Sequence, residues 1–272
     1  MALNEYDSLL TGDLPLLELN DAVVRRGGRD ILSVDHLKIM PGDQVAILGP
    51  NGAGKSTFVK LLTREMVPLW REEPPVRFCG DPRPVVATMR KILGVVSTTM
   101  QDQITVHLPA LEIVLGGFFG ALGVPDHQKA RVTDEMREIA MARLEELSAA
   151  HLANRDIHTL STGQVRRVLF ARALVHNPKV VVFDEPTTGL DPEGVWHVRQ
   201  SLSALAQAGH TVLLVTHLVE DIRPECNRVL LIDDGKLIAD GPKADILTTE
   251  NMRNLFHVPV NIEERNGLYH LW

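Results

Sequence analysis

The sequence predicts an α/β fold with a mainly parallel sheet, an N-terminal antiparallel β subdomain and a helical insert. Three observations carry this. Short, continuously apolar runs recur at "QVAILG" (44–49), "KVVVFDE" (179–185) and "TVLLVTH" (211–217), as expected of strands buried on both faces. Helix-forming segments separate them, as parallel crossovers require. Residues 16–50 instead alternate apolar and polar positions in "LLELNDAVV" and "ILSVDHLKI", the pattern of antiparallel strands with one wet face.

In chain order, "GKSTFVKLLTRE" has helical periodicity directly after the first buried strand. Residues 100–159 contain the strong helix former "EMREIAMARLEELSAAHLA" and no convincing strand, so they are expected to form a helical insert. The α/β pattern then returns, with helices expected near 164–176 and 192–207. "VLLIDDGKLIAD" (229–240) reads as a hairpin turning at Asp234-Gly235, the dipeptide favoured in two-residue hairpin loops. One helix is expected over 243–256, and a further hairpin at Asn266-Gly267. These elements predict a single domain over 1–272, with a core of 1–99 and 160–258, the insert at 100–159 and a short extension at 259–272.

Composition narrows the functional classes. The chain has 272 residues, is 44% hydrophobic and 23% charged, and carries a net charge of -7 with pI near 5.9. An acidic balance argues against a protein that coats nucleic acid. Cys79 and Cys226 lie far apart without metal-binding spacing and read as reduced thiols. No secretory leader is expected from the first residues. No apolar run reaches the ~18 residues that span a bilayer; "ALEIVLGGFFGALGV" (110–124) is short and broken by glycines.

The chemistry begins at "GPNGAGKST" (49–57), which fits G-x-x-x-x-G-K-[ST] between a buried strand and a helix, the context this phosphate loop requires. It predicts a P-loop NTPase core. The loop Gly49, Pro50, Asn51, Gly52, Ala53 and Gly54 would bind nucleotide at a helix N-terminus, with Gly49, Gly52 and Gly54 letting backbone N–H groups wrap the phosphates and Lys55 supplying a point charge. Ser56 would ligate Mg²⁺ and Thr57 would assist at the α-phosphate. "VVVFDEP" puts Asp184 and Glu185 at the end of a second buried strand. Asp184 suits the metal and Glu185 the polarisation of an attacking water, although Asp-Glu-Pro also simply ends a strand. His217 closes the next strand, where parallel strand ends share a crevice. The chain has 11 histidines, and only its position distinguishes this one.

"LSTGQ" (160–164) looks like a second phosphate-binding helix start, with Ser161 as the cap of "VRRVLFARALV". Taken together, "GPNGAGKST", "LSTGQ", "VVVFDEP", "TTGLD" (187–191) and "TH", in that order over nearly the whole chain, resemble the nucleotide-binding subunits of ATP-binding cassette (ABC) proteins. The resemblance implies that two copies pack head-to-tail around two MgATP. Leu160, Ser161, Thr162, Gly163 and Gln164 would then form a signature serving the ATP held by the other copy, and Asp191 would connect the two sites across the interface. Hydrolysis would use Glu185, His217 and Lys55 and would drive a separate membrane permease, keeping the chain peripheral at the cytoplasmic face.

Three departures from the family pattern stand out. Thr162 occupies a usual glycine position and adds a branched side chain. Arg26 falls where an aromatic residue often stacks on adenine, a task a planar guanidinium can also perform. The glutamine loop "LGVVSTTMQDQI" places Thr98 at the usual glutamine position, leaving Gln101, with Gln103 behind it, as the candidate metal contact. "LGGFFGALG" could belong to a permease-docking groove or to ordinary packing. A soluble ABC ATPase without a permease, such as an iron–sulfur assembly clamp, is the alternative function, and a small P-loop kinase a third.

Overall fold

The computed structural model describes residues 14–272 and separates them into two units, one comprising residues up to Met89 together with Leu205–Trp272, the other Arg90–Ala204.

In the first unit, β1 (Leu17–Arg26) and β2 (Arg29–Ile39) pair antiparallel from Leu17↔Ile39 to Arg26↔Arg29, with a bulge between Val24 and Arg25. Alternation decides which face is inside: Leu17, Leu19, Ala22 and Val24 of β1, and Leu32, Val34, Leu37 and Ile39 of β2, are buried. β3 (Gln44–Leu48) behaves differently, since Val45, Ala46, Ile47 and Leu48 are all at most 1% exposed. It is flanked on both sides by parallel strands, β7 (Thr211–Thr216) and β8 (Arg228–Asp233). Helix α1 (Lys55–Leu62) follows β3, and the short β4 (Val76–Phe78) pairs with β1. β8 reverses at Asp234-Gly235 into β9 (Lys236–Pro242), which meets β2 at Ser33↔Lys236. An antiparallel β subdomain is thereby joined to a parallel core.

Where one helix is expected over 243–256, two occur, α8 (Lys243–Ile246) and α9 (Thr249–Phe256). Thr248 is extended at ψ 155° and its Oγ1 accepts the Asn251 amide, so a helix cap interrupts the run. The last hairpin pairs β10 (Ile262–Arg265) with β11 (Leu268–Leu271) across Asn266-Gly267.

The second unit opens within α2 (Val86–Ile92) and continues into β5 (Leu93–Ser97), which pairs parallel with β6 (Val180–Asp184). A single helical turn, α3 (Thr98–Asp102), follows β5. Helices α4 (Ala110–Gly116), α5 (Asp134–Glu146) and α6 (Thr162–Leu174) pack on one another, and α7 (Pro192–Gln207) follows β6. Among the described residues no helix is long and apolar enough to cross a membrane. Cys79 and Cys226 are buried and in no disulfide, and burial pushes both thiols up to about 11.

Candidate nucleotide-binding and hydrolytic site

The first unit holds the phosphate loop. Parallel pairing aligns Leu48 with Thr216, and the Gly49 amide donates to the Thr216 carbonyl at 3.4 Å. The loop's start and His217 therefore leave adjacent strands at the same level. A Cβ at Gly49 would collide with the Ile232 carbonyl, so glycine is required there by close backbone approach. The Gly235 amide donates to the Ala53 carbonyl at 2.9 Å, bracing the loop against the β8–β9 turn. Gly54 stands in the left-handed region at φ 105° and starts α1. Lys55 is 4% exposed, and its Nζ donates to the Gly49 and Pro50 carbonyls at 2.9 and 3.0 Å. The ammonium is thus held within the loop, beside the exposed Asn51 and Gly52, which fits a polyphosphate. Arg26 is exposed at the end of β1, and it is Arg25 beside it that pairs with Asp30 at 2.6 Å.

The second unit holds the carboxylates. All five residues of β6 are buried, and its register sets Ser97 opposite Asp184. The α3 turn therefore begins at the strand end that carries Asp184 and Glu185. Gln101 Oε1 is buried and accepts no hydrogen bond among the described residues, an acceptor that fits a cation. Thr98 opens the same turn and Gln103 is exposed beyond it. Glu185 has φ 51°, a left-handed backbone that costs a non-glycine residue about 1–2 kcal/mol. Thr188 donates from Oγ1 to Glu185 Oε2 at 3.4 Å.

"LSTGQ" begins α6 with a full capping box. Ser161 Oγ accepts the Gln164 amide at 3.3 Å, and Gln164 Oε1 accepts the Ser161 amide at 3.0 Å. Thr162 is the first helical residue and exposed, so its branched side chain meets no internal obstacle. The nearest heavy atom to a Cβ added at Gly163 is Gly194 Cα at 3.5 Å, an ordinary contact. Asp191 caps α7, its Oδ1 accepting the Gly194 amide at 2.8 Å.

Sequence reasoning passed over Arg166. It lies in α6, is 2% exposed, and its Nε and Nη1 have no hydrogen-bond partner among the described residues. Burial lowers its pKa, opposed by the charge of Asp102 in α3. The available signal was its place at the start of the largely apolar run "VRRVLFARALV" (165–175).

Comparison with known proteins agrees with this arrangement. The profile of the ABC transporter family matches residues 32–188. The hemin import ATP-binding protein of Bordetella parapertussis is 31% identical over 90% of this chain and 94% of its own length. The Nod factor export ATP-binding protein I of Burkholderia thailandensis is 35% identical over 81% of this chain and 69% of its own length. A dimeric ATP-binding cassette solved in a post-hydrolysis state with ADP and Pi superposes at a TM-score of 0.66, with 27% identity, over 83% of this chain and 98% of that one. With the phosphate loop, the buried strand end at Asp184 and the capped signature helix in place, the chain belongs to the ABC transporter family and is an ATP-binding, ATP-hydrolysing cassette.

Proposed function

We propose that two copies of this chain close head-to-tail on two ATP molecules and that their hydrolysis drives a separate membrane permease at whose cytoplasmic face the cassettes sit. The observation that carries the proposal is the capped start of α6. Ser161 and Gln164 satisfy one another, Gly163 faces no internal crowding, and the helix N-terminus is left to serve a phosphate that the chain's own loop does not need.

The roles follow from local chemistry. The loop of residues 49–54 and the Lys55 ammonium bind the polyphosphate. Ser56, Asp184 and Gln101 would hold Mg²⁺, which when bound neutralises charge on the phosphate oxygens. Glu185 orients the attacking water and takes its proton, and His217 contacts the γ-phosphate. Ser161 and Gly163 approach the γ-phosphate of the other copy's ATP, and Asp191 links the two sites. Arg26 lies flat on the adenine. The Gly117–Phe119 turn, where Phe118 stands edge-on to His176 at 5.2 Å, belongs to the permease-docking face. The two relatives named above serve opposite directions of transport, and no direction is attached to this cassette.

The test is affinity capture from gently solubilised native membranes with the Glu185→Gln chain, which should retain ATP. A multi-spanning partner at fixed stoichiometry is the expected result. Recovery of soluble partners alone, with ATP-dependent dimers still forming, would move the chain to the cytosolic-clamp class.

A further inference from the structure

The segment that leaves β7 through His217 is fastened on two sides. On its inner side, Thr216 Oγ1 accepts the Leu218 amide at 3.0 Å and donates to Asp221 Oδ2 at 3.1 Å. Thr216 is 1% exposed and Asp221 fully buried. The Asp221 and Ile222 amides close a 3-10 turn over Val219–Asp221. On its outer side stands the last hairpin of the chain. The Leu271 amide donates to Glu220 Oε1 at 3.0 Å, and β11 packs along the 3-10 turn.

The hairpin is itself well anchored. Asn261 and Trp272 exchange both backbone hydrogen bonds, so Ile262 and Leu271 form the next, non-bonded pair. The Leu271 amide is therefore surplus to the ladder and aimed at Glu220. At the hairpin's root, Arg253 in α9 donates to the Val260 carbonyl and Asn261 Oδ1 at 2.8 and 2.7 Å, and the Ile262 amide reaches Thr249 Oγ1. Tyr269 is 8% exposed beneath the Lys243 ammonium, 5.7 Å from its ring centre. The same ammonium donates to the Arg223 and Pro224 carbonyls at 3.2 Å each, just downstream of the turn. Phosphate loop, His217, turn and hairpin all lie in one structural unit.

We propose that Glu220 is a positioning residue for hydrolysis, through which the hairpin of residues 262–271 holds the His217 turn in its working place. This rests on the role given to His217 above and adds a second, remote support for it. A segment tied at one side only samples more conformations. A histidine that must meet a transferring phosphoryl group loses rate when its placement loosens, while ground-state nucleotide binding through the phosphate loop is untouched.

The test uses the full chain carrying Glu220→Ala, Glu220→Gln and Leu271→Pro. Proline at 271 removes the amide that donates to Glu220 and no ladder bond. Glu220→Ala and Leu271→Pro should lower kcat about 3- to 10-fold with the KM for ATP within about twofold. Glu220→Gln, which keeps an accepting oxygen, should restore most of the rate. Amides of 218–222 should exchange about tenfold faster in the alanine variant, and adding Glu220→Ala to His217→Ala should cost little more than His217→Ala alone. Wild-type kcat, equal loss in the alanine and glutamine variants, or additivity with His217→Ala would overturn the proposal. Should His217→Ala itself hydrolyse ATP normally, the histidine's assigned role fails. Exchange then decides the physical coupling alone: unchanged protection of 218–222 in Glu220→Ala overturns it, and faster exchange upholds it.

Discussion

At the scale of single residues, the phosphate loop and the carboxylate pair were open to sequence reasoning because their chemistry demands fixed residue types at fixed spacing. What spacing could not convey is backbone state. Glu185 sits at φ 51°, and strain of this kind collects where a side chain must be aimed. Glu185→Gln keeps size and backbone but removes the proton acceptor, so kcat should fall about 100-fold or more with ATP binding intact, measured by single-turnover hydrolysis and equilibrium binding. Gly163 supplies a second case. Its φ is not left-handed, and an added Cβ would meet only Gly194 Cα at 3.5 Å. Nothing among the described residues asks for glycine there. Gly163→Ala should leave the melting temperature unchanged or raise it, since glycine is a poor helix former by about 0.5–1 kcal/mol, while ATP hydrolysis drops at least about tenfold. A destabilised variant would show that the glycine serves the fold, not a phosphate approaching from outside.

At the scale of elements, strands were legible wherever apolar runs were continuous, as at β3, β6 and β7. β5 was less so: "LGVVS" is short, begins at the end of α2 without a turn residue between, and leads straight into the α3 turn. The expected helix over 243–256 went wrong for a definable reason. "LTTEN" (247–251) carries a cap signal, Thr248 three residues before Asn251, inside a run whose apolar spacing still suits one helix. The Thr248 Oγ1–Asn251 amide bond at 3.2 Å decides between them. Thr248→Ala should cost about 1 kcal/mol and lower the melting temperature by roughly 2–4 °C, read by calorimetry. Thr248→Ser or Thr248→Asp should restore it. A variant as stable as the parent would mean the break is imposed by packing of Met252 and Leu255, both fully buried, with the cap following.

At the scale of the whole molecule, the sequence offers two candidate phosphate-binding helix starts in one chain of 30.1 kDa, and local hydrogen bonds brace each from within the chain. Lys55 is held by the Gly49 and Pro50 carbonyls, while Ser161 and Gln164 cap one another. Spacing along the chain is silent on whether the two starts serve one nucleotide or two, because that depends on which chain supplies the partner, a matter of symmetry rather than of local pattern. Mixing experiments separate the cases. A Lys55→Ala chain has a damaged loop and a sound signature; a Gly163→Ala chain has the reverse. In a head-to-tail pair of one of each, the sound loop of the Gly163→Ala chain meets the sound signature of the Lys55→Ala chain, and one complete site forms. Random pairing makes about half of all dimers mixed, each with one site of two, so ATP turnover should recover to about a quarter of the wild-type rate when sites act independently. If each signature served its own chain's nucleotide, every site in the mixture would be damaged and no recovery would occur. Measuring turnover across mixing ratios adds a sharper criterion: trans sharing gives a maximum at equal proportions, because mixed pairs peak there, whereas cis use gives a straight line between the two damaged parents.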